Sequence, residues 1–216
     1  MKKVLAVGAH PDDVEWGCGG TLLKHKNKGD FVVIVIMTNT KSVDGVTGKE
    51  LRSIDDLINE SKAAAKIINC DVEFLPFTDL KVPFSFESVS ELEKLIVKYE
   101  VDTVYTHWSG DTNQDHIATL QTTMAAARKK PNVLSYEQFP VPRITNVHPT
   151  ANYYIDISDV YTQKVELAKC HKSQIEKYRQ QGFDVLDSLE VLARYRGIQI
   201  GVKYAEAFNT LKMVGL

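Results

Sequence analysis

The amino-acid sequence predicts an α/β fold: a Rossmann-like, doubly wound, mostly parallel sheet between two layers of helices, in a three-layer sandwich. Two observations predict it. Apolar runs of strand length alternate with helix-length segments through the first two-thirds of the chain, which is typical of β-α-β units on a parallel sheet. The length of 216 residues suits one hydrophobic core, so we expect a single domain over residues 1–216.

The predicted strands are short apolar runs bounded by turn residues. They cover residues 3–8, 31–37, 72–75, 102–106 and 133–136. Between them, helix-forming residues with an apolar period of about 3.6 predict crossover helices. These helices cover residues 17–28, 50–69, 87–99 and 115–130.

Beyond Pro131 the alternation loosens. Three prolines predict a long irregular segment, and they are Pro140, Pro142 and Pro149. Residues 153–157 predict a further strand and residues 159–178 a helix. Tyr204 and Phe208 are four residues apart, so we expect them to pack together on a helix or turn.

Composition excludes several classes of protein. The 26 Lys and Arg residues are outnumbered by 28 Asp and Glu, so the chain has no basic excess for nucleic-acid binding. The longest apolar run, residues 31–37, is far shorter than the ~18 to 20 residues of a membrane span. The three cysteines are widely spaced without a C-x-x-C pair, which argues against a disulfide framework or a thiolate zinc site. We therefore expect a soluble, cytoplasmic protein without a membrane span or a nucleic-acid partner.

Polar side chains follow the first and the fourth predicted strand. They are His10, Asp12, Asp13 and Glu15 in the first loop, and His107, Asp111, Asn113, Asp115 and His116 in the second. In a Rossmann-like order these two strands are neighbours where the strand order reverses, and ligands bind beyond the carboxyl ends of strands at that point. Imidazole together with carboxylate suits zinc or iron. The two loops are therefore a candidate metal site.

Other motifs give weaker predictions. The Gly-rich segment at residues 17–20 lacks the third glycine of G-x-G-x-x-G, and neither a P-loop nor a G-x-S-x-G elbow occurs. A facial triad of a non-haem iron oxygenase is another interpretation of His10 and Asp12, although that site is expected on a β-rich barrel. The pair Asp12 and Asp13 also allows a Mg²⁺-dependent phosphoacceptor or binding module without amidase activity. The histidines favour zinc, because Mg²⁺ prefers oxygen ligands.

Several segments resemble the LmbE-like, or PIG-L, deacetylase family. Residues 9–15 read Ala-His-Pro-Asp-Asp-Val-Glu, and the Gly-Cys-Gly-Gly-Thr-Leu of residues 17–22 completes a segment that resembles the opening motif of the family. Residues 114–116, Gln-Asp-His, stand where the family has its distal Asp-His pair. Weaker resemblances continue to about residue 208, at Glu60, at His171-x-Ser173-Gln174 and at residues 196–208.

The resemblance implies an enzyme, a metal-dependent amidohydrolase. Members of the family are mostly zinc hydrolases that remove an acyl group, commonly acetyl, from the 2-amino group of a glucosamine-type sugar. Carried over by position, His10, Asp13 and His116 are the expected ligands of one Zn²⁺ per chain, with Fe²⁺ or another divalent ion as an alternative. Asp12 is the expected general base, and Asp115 belongs to the expected catalytic set. The expected partner is a small-molecule or glycan-precursor amino sugar, and homo-oligomerisation stays open.

Asn113 departs from the family pattern, because many relatives have His at this position. An Asn side chain can donate a hydrogen bond to an oxyanion but cannot deliver a proton. His107 or water at the metal is then the expected proton donor to the leaving amine.

A few residues keep two interpretations. Trp16 and Trp108 are either sugar-stacking walls or core residues, and His171 is either structural or part of the site wall. Cys18 is expected to be a small buried helix residue. The loops that would select the substrate carry no diagnostic motif, and they are residues 41–49, 75–86 and 139–149.

Overall fold

A computed structural model describes residues 1–44, 46–137 and 150–214. The strands are β1 (Lys3–Gly8), β2 (Phe31–Thr38), β3 (Ser42–Val43), β4 (Glu50–Arg52), β5 (Asp71–Phe77), β6 (Thr103–Thr106), β7 (Asn132–Tyr136), β8 (Tyr153–Asp156) and β9 (Ala205–Met213). The helices are α1 (Asp13–Asn27), α2 (Ile54–Ile68), α3 (Phe86–Lys98), α4 (Gln114–Ala126), α5 (Tyr161–Cys170), α6 (Lys172–Gln180) and α7 (Val185–Ile200).

Seven of the described strands form one sheet, in the order β5-β2-β1-β6-β7-β9-β8. The first five are parallel, whereas β9 runs antiparallel to both β7 and β8. Strand β1 pairs with β2 on one side and with β6 on the other, so the strand order reverses between β1 and β6. This confirms the predicted mostly parallel, doubly wound sheet. It also confirms that the first and fourth predicted strands are neighbours.

The core lies on both faces of this sheet, which makes the fold a three-layer sandwich as predicted. Along β1, Val4 and Ala6 point to a cluster that includes side chains of α1, α2 and α5. Leu5 and Val7 point to the opposite cluster, which includes side chains of α3 and α4. The central strand is apolar on both faces because both of its faces are covered.

Side-chain caps set the ends of several helices. Ser53 accepts the Asp56 N–H at the start of α2, Ser85 forms a reciprocal capping box with Ser88 before α3, and Asp184 accepts from the first turn of α7. Such caps satisfy backbone N–H groups that have no partner within the helix. Helix α7 ends at Gly201, whose φ of 73° is the left-handed conformation that glycine adopts at little cost.

The structure corrects several predicted boundaries. Helix α1 begins at Asp13 rather than Gly17, so the acidic motif forms its first turn. Residues 50–52 are not helical but pair with β3 as strand β4. The helix predicted over residues 159–178 is two helices, because the backbone at His171 leaves helical geometry between α5 and α6.

The end of the chain also differs from the prediction. Tyr204 and Phe208 do not pack on a helix or turn: Tyr204 precedes β9, and Phe208 lies within it, opposite Tyr136 and Tyr153. Helix α7 was not predicted. The predicted irregular segment with Pro140, Pro142 and Pro149 lies outside the described residues. No helix in the described parts of the chain has both the length and the apolar composition that crossing a bilayer requires.

Candidate metal and catalytic site

The loop after β1 turns sharply to present its polar side chains. Asp12 precedes α1 with a φ of 107°, a region that residues with a side chain rarely adopt. The His10 N–H donates to Asp13 Oδ2 at 2.7 Å and closes the turn. Gly17 lets α1 lie directly on Tyr136, since a Cβ there would come within 2.3 Å of the ring. These contacts fix Asp12 and Asp13 at the carboxyl end of β1.

Donor atoms of three residues, including both carboxylate oxygens of Asp13, converge between the two predicted loops. His10 Nδ1 lies 3.3 Å from His116 Nε2 and 3.6 Å from Asp13 Oδ2, and His116 Nε2 lies 3.4 Å from Asp13 Oδ1. A tetrahedral zinc ion about 2.0 to 2.1 Å from each ligand requires donor separations of about 3.3 to 3.4 Å. The arrangement of His10, Asp13 and His116 therefore fits one such ion.

Carboxylates orient both imidazoles from behind. The Nε2 atom of His10 lies 3.0 Å from Asp115 Oδ2 and 3.1 Å from Asp79 Oδ1, and the Nδ1 atom of His116 lies 2.8 Å from Asp111 Oδ2. A metal-ligating histidine is commonly fixed in this way through its other nitrogen. Two alternative donor sets, His107–Asp111–His116 and His10–Asp79–Asp115, use these outer nitrogens. The set with Asp13 is the one in which both imidazoles keep a second carboxylate contact, through His10 Nε2 and His116 Nδ1, while Nδ1 of His10 and Nε2 of His116 face Asp13.

Asp115 has its carboxylate oxygens occupied by other groups as well. They accept the Leu80 N–H at 2.7 Å and the Val82 N–H at 3.1 Å. Asp115 is 1% exposed. Within the described structure its contacts are therefore those of a residue that positions His10 and the 80–82 loop.

The electrostatics of the site favour a cation. Burial lowers the pKa of His10, but hydrogen bonds with Asp115, Asp13 and Asp79 outweigh it and hold the pKa well above its usual range. Burial raises the pKa of Asp13, yet the neighbouring imidazoles of His116 and His107 bring it well below its usual value. Burial lowers the pKa of His116 to about 4. Neutral imidazoles and an ionised carboxylate are the forms that bind metal, and a strongly negative potential at His10 attracts a positive charge.

Asp12 lies in the cavity next to the three donors without belonging to them. It is 6% exposed, and burial, followed by the charge of Asp13, raises its pKa to about 7. A carboxyl group with such a pKa can take up and release a proton near neutral pH. Its place beside the donor set suits a general base.

His107 lies behind the donor set, outside the cavity lining. It is fully buried, and its ring stacks on His116 with centroids 4.1 Å apart. Its Nε2 lies 2.9 Å from the Ala9 backbone N and also faces the Asp13 carboxylate. This geometry favours a role in supporting Asp13, whose Oδ2 is 3.3 Å away, over proton delivery to a substrate.

Asn113 lines the cavity and also caps α4. Its Oδ1 accepts the Asp115 N–H at 2.9 Å, and its own N–H donates to Asp111 Oδ1 at 2.8 Å. Because Oδ1 already accepts this hydrogen bond, the NH₂ group of the side-chain amide is the part that can donate to a ligand. The position thus has a structural role that sequence analysis did not predict.

The site opens into a cavity of about 120 Å³ at the carboxyl ends of β1 and β6. Three charged lining residues were not predicted: Arg52 on β4, Asp79 after β5, and Lys177 on α6. Asp79 follows a parallel strand of the sheet, so the rule that selected the other two loops could have found it. Arg52 and Lys177 carry no such signal, since they reach the cavity from a small hairpin and from a helix beyond the regular alternation.

The structure distinguishes between the two interpretations given above for Trp16, Trp108 and His171. Trp16 lines the cavity and Trp108 does not, although both are buried. His171 is fully buried with its Nε2 3.4 Å from Glu15 Oε1, which makes it a structural residue outside the cavity lining. Cys18 is fully buried, as predicted, but its backbone is not helical (φ −142°, ψ 18°) and marks a kink within α1.

Comparisons with known proteins show which family the chain is similar to. The family model described as PIG-L: GlcNAc-PI de-N-acetylase matches residues 5–127. An uncharacterized deacetylase, YaiS, of Escherichia coli is 36% identical over 144 residues, which are 63% of this chain and 74% of the relative. Diacetylchitobiose deacetylase of Thermococcus kodakarensis is 27% identical over 229 residues and covers 97% of this chain, with 83% of its own length matched.

Among solved structures, GalB of Pseudomonas putida, a 4-carboxy-2-hydroxymuconate hydratase, has a TM-score of 0.81 at 20% identity, covering 100% of this chain and 98% of its own. At that identity the likeness concerns the fold alone, and it shows that this fold also supports a reaction other than deacetylation. The family match is of a different kind, because it spans more than half of the chain and contains His10, Asp12, Asp13 and His116. The chain belongs to the PIG-L, or LmbE-like, deacetylase family.

Proposed function

We propose that this protein is a metal-dependent hydrolase that removes an acyl group, acetyl above all, from the amino group of an N-acetylglucosamine-type sugar or sugar conjugate. The observation that carries the proposal is the convergence of donor atoms from His10, Asp13 and His116 beside the carboxyl group of Asp12. Two relatives named deacetylases support the reaction type.

His10, Asp13 and His116 would hold one divalent ion, for which the donor set suits zinc. Bound zinc polarises an amide carbonyl and makes water more acidic. The same donors disfavour the Mg²⁺-dependent phosphoacceptor function, because three imidazoles surround Asp13 where Mg²⁺ would require oxygen ligands and waters.

The chain's own residues supply the rest of the reaction. Asp12 takes a proton from the attacking water. The side-chain NH₂ group of Asn113 donates a hydrogen bond to the oxygen on which negative charge develops. The leaving amine needs a proton, and Asp12 has just received one. Because His107 is buried behind Asp13, the geometry supports Asp12 as the group that returns this proton.

The test combines metal analysis with an assay of released acetate. We expect about one divalent metal per chain, and acetate from at least one compound in a panel of N-acetylated amino sugars and their conjugates. His116→Ala should abolish both, because two donors no longer retain the ion. His25→Gln is the matched control, since His25 contacts Asp30 and Tyr105 and does not line the cavity.

Two results would overturn the proposal. The first is stoichiometric metal retained in a doubly substituted His10→Ala, His116→Ala protein. The second is a metal-loaded parent protein that releases acetate from no member of the panel.

A further inference from the structure

Lys177 is a cation that lines the cavity and makes no ion pair with any residue that the structure describes. It lies on α6, is half-buried, and lines the cavity. Its ammonium group donates to Gln174 Oε1 at 3.5 Å and lies 5.2 Å from the ring centre of Tyr178. No carboxylate in the described parts of the chain approaches its Nζ within ion-pair distance.

Two other charged residues that line the cavity have an oppositely charged or imidazole partner within the protein. Arg52 faces Glu60 at 3.6 Å, and Asp79 faces His10 at 3.1 Å. Asp44, on the hairpin turn, feels the charge of Lys177, but its carboxylate accepts hydrogen bonds from Val46 and Thr47. A half-buried ammonium with one long hydrogen bond to a neutral group is under-compensated, because it has lost part of its hydration.

The residues that line the cavity also include three acidic side chains. Asp12, Asp13 and Asp79 line it next to the proposed amide-cleavage point. Glu60 accepts from the Ser173 N–H and hydroxyl on α6 and also faces Arg52, so the two cations, Arg52 and Lys177, lie on the α6 side. An anionic group of a ligand would be attracted toward Lys177 on α6.

We propose that Lys177, where it lines the cavity, binds an anionic group, a carboxylate or a phosphate, on the amino-sugar substrate. This inference rests on the proposed function and specifies its substrate class. Lys177 lies beyond the family-matched residues 5–127, so the preference is argued from this chain alone. A charge-assisted hydrogen bond of this kind favours the charged ligand by about 10-fold or more.

Kinetics on matched substrates test the inference. The panel is N-acetylglucosamine, its 1-phosphate, its 6-phosphate and N-acetylmuramic acid, which place phosphate or carboxylate at three different positions. We expect the metal-loaded parent to prefer at least one anionic member by about 10-fold or more in kcat/KM. Lys177→Met should reduce that preference to near unity, mainly through KM, and Lys177→Arg should restore most of it. Lys172→Met, an exposed lysine on the same helix, should leave the preference unchanged.

A binding measurement separates this inference from the proposed function. Calorimetry on the parent and on Lys177→Met compares glucosamine with glucosamine 6-phosphate and glucosamine 1-phosphate. Tighter binding of a phosphorylated sugar that disappears in Lys177→Met supports the inference even if no acetate is released from any compound. Equal turnover and equal binding of neutral and anionic sugars by the parent would overturn it and leave the deacetylase proposal intact. So would an anionic preference that Lys177→Met does not reduce.

Discussion

Asp12 has a strained backbone, and the strain has a use. Its φ of 107° directs the carboxyl group into the cavity while the next residue, Asp13, faces the imidazoles. Conformations of this kind cost about 1 to 3 kcal/mol and persist where the surrounding structure over-determines them. Here the His10–Asp13 hydrogen bond and the packing of α1 on Tyr136 supply that constraint. Two adjacent aspartates can therefore have different roles.

Asp12→Asn tests the general base. Asparagine keeps the shape of the side chain and tolerates positive φ better than most residues, so the fold and the metal content should be retained. The amide lacks basicity, and kcat should fall by about 100-fold or more. The measurement is acetate release at saturating zinc, together with metal analysis of the same preparation. A kcat within a few-fold of the parent would show that Asp12 is not the base.

Asn113 has two roles that substitution can separate. Asn113→Ala removes both the cap of α4 and the amine donor, so we expect a loss of about 1 kcal/mol in stability and of about 100-fold in kcat. Asn113→Asp keeps an acceptor for the Asp115 N–H but lacks the NH₂ donor of the amide, so kcat should fall with little loss of stability. Urea unfolding and steady-state kinetics on both variants distinguish the two effects. Unchanged kcat in Asn113→Asp would remove the oxyanion role.

Strand β9 is tied to α1 and α5 by a buried ion pair. Glu206 accepts the Gly20 and Thr21 N–H groups at 2.9 and 2.7 Å and pairs with the Lys164 ammonium. Lys164 and Glu206 are both about 4% exposed. The Glu206 carboxylate therefore connects α1, β9 and α5.

Lys164→Met should destabilise the protein strongly, because it leaves the Glu206 carboxylate buried without its cation. The expected loss is about 3 to 5 kcal/mol in the free energy of unfolding, measured by urea denaturation. Lys169→Met on the same helix breaks the exposed pair with Glu166 and should cost less than about 1 kcal/mol. The double variant Lys164→Met, Glu206→Gln should recover part of the loss. Equal effects of the two single substitutions would contradict the assignment.

The same strand explains where sequence patterns failed at the level of elements. In residues 205–208, every side chain is buried, including Glu206, so the polar and apolar alternation that identifies a strand is missing. Residues 50–52 form a strand only because β3 pairs with them, and that pairing is a tertiary contact. Helices α2 and α3 were predicted from their apolar period, and the serine that caps each one is a signal that would also have placed their first residues.

For the whole molecule, the alternation of strands and helices predicted a doubly wound sheet, and a Rossmann-like strand order, if present, would place the loops after the first and fourth predicted strands together. The loops after β1 and β6 meet as expected, and the three expected ligands lie in contact. The orientation of each ring was not predictable, because it depends on Asp111, Asp79 and Asp115 in three dimensions. Arg52 and Lys177 were missed for a similar reason: their positions follow from how the hairpin and α6 pack, and no local pattern encodes that packing.

Zinc should stabilise the folded chain as a whole. Native-state binding at a free concentration about 100 times the Kd adds about 2.7 kcal/mol, which for a domain of this size is roughly 5 to 11 °C in Tm. Thermal melts with zinc and with a chelator measure the difference. The His10→Ala, His116→Ala protein should show none. A shift of the same size in that variant would mean that zinc binds elsewhere.

The reversal of strand order between β1 and β6 also has a consequence for biosynthesis. His10 and Asp13 leave the ribosome more than one hundred residues before His116, and the three come together only when β6 has paired with β1. A nascent chain that lacks His116 offers two ligands on an unpaired loop, which hold metal weakly. If the proposed ion binds to these three residues, its loading would follow synthesis of α4 and would require that β6 has paired with β1.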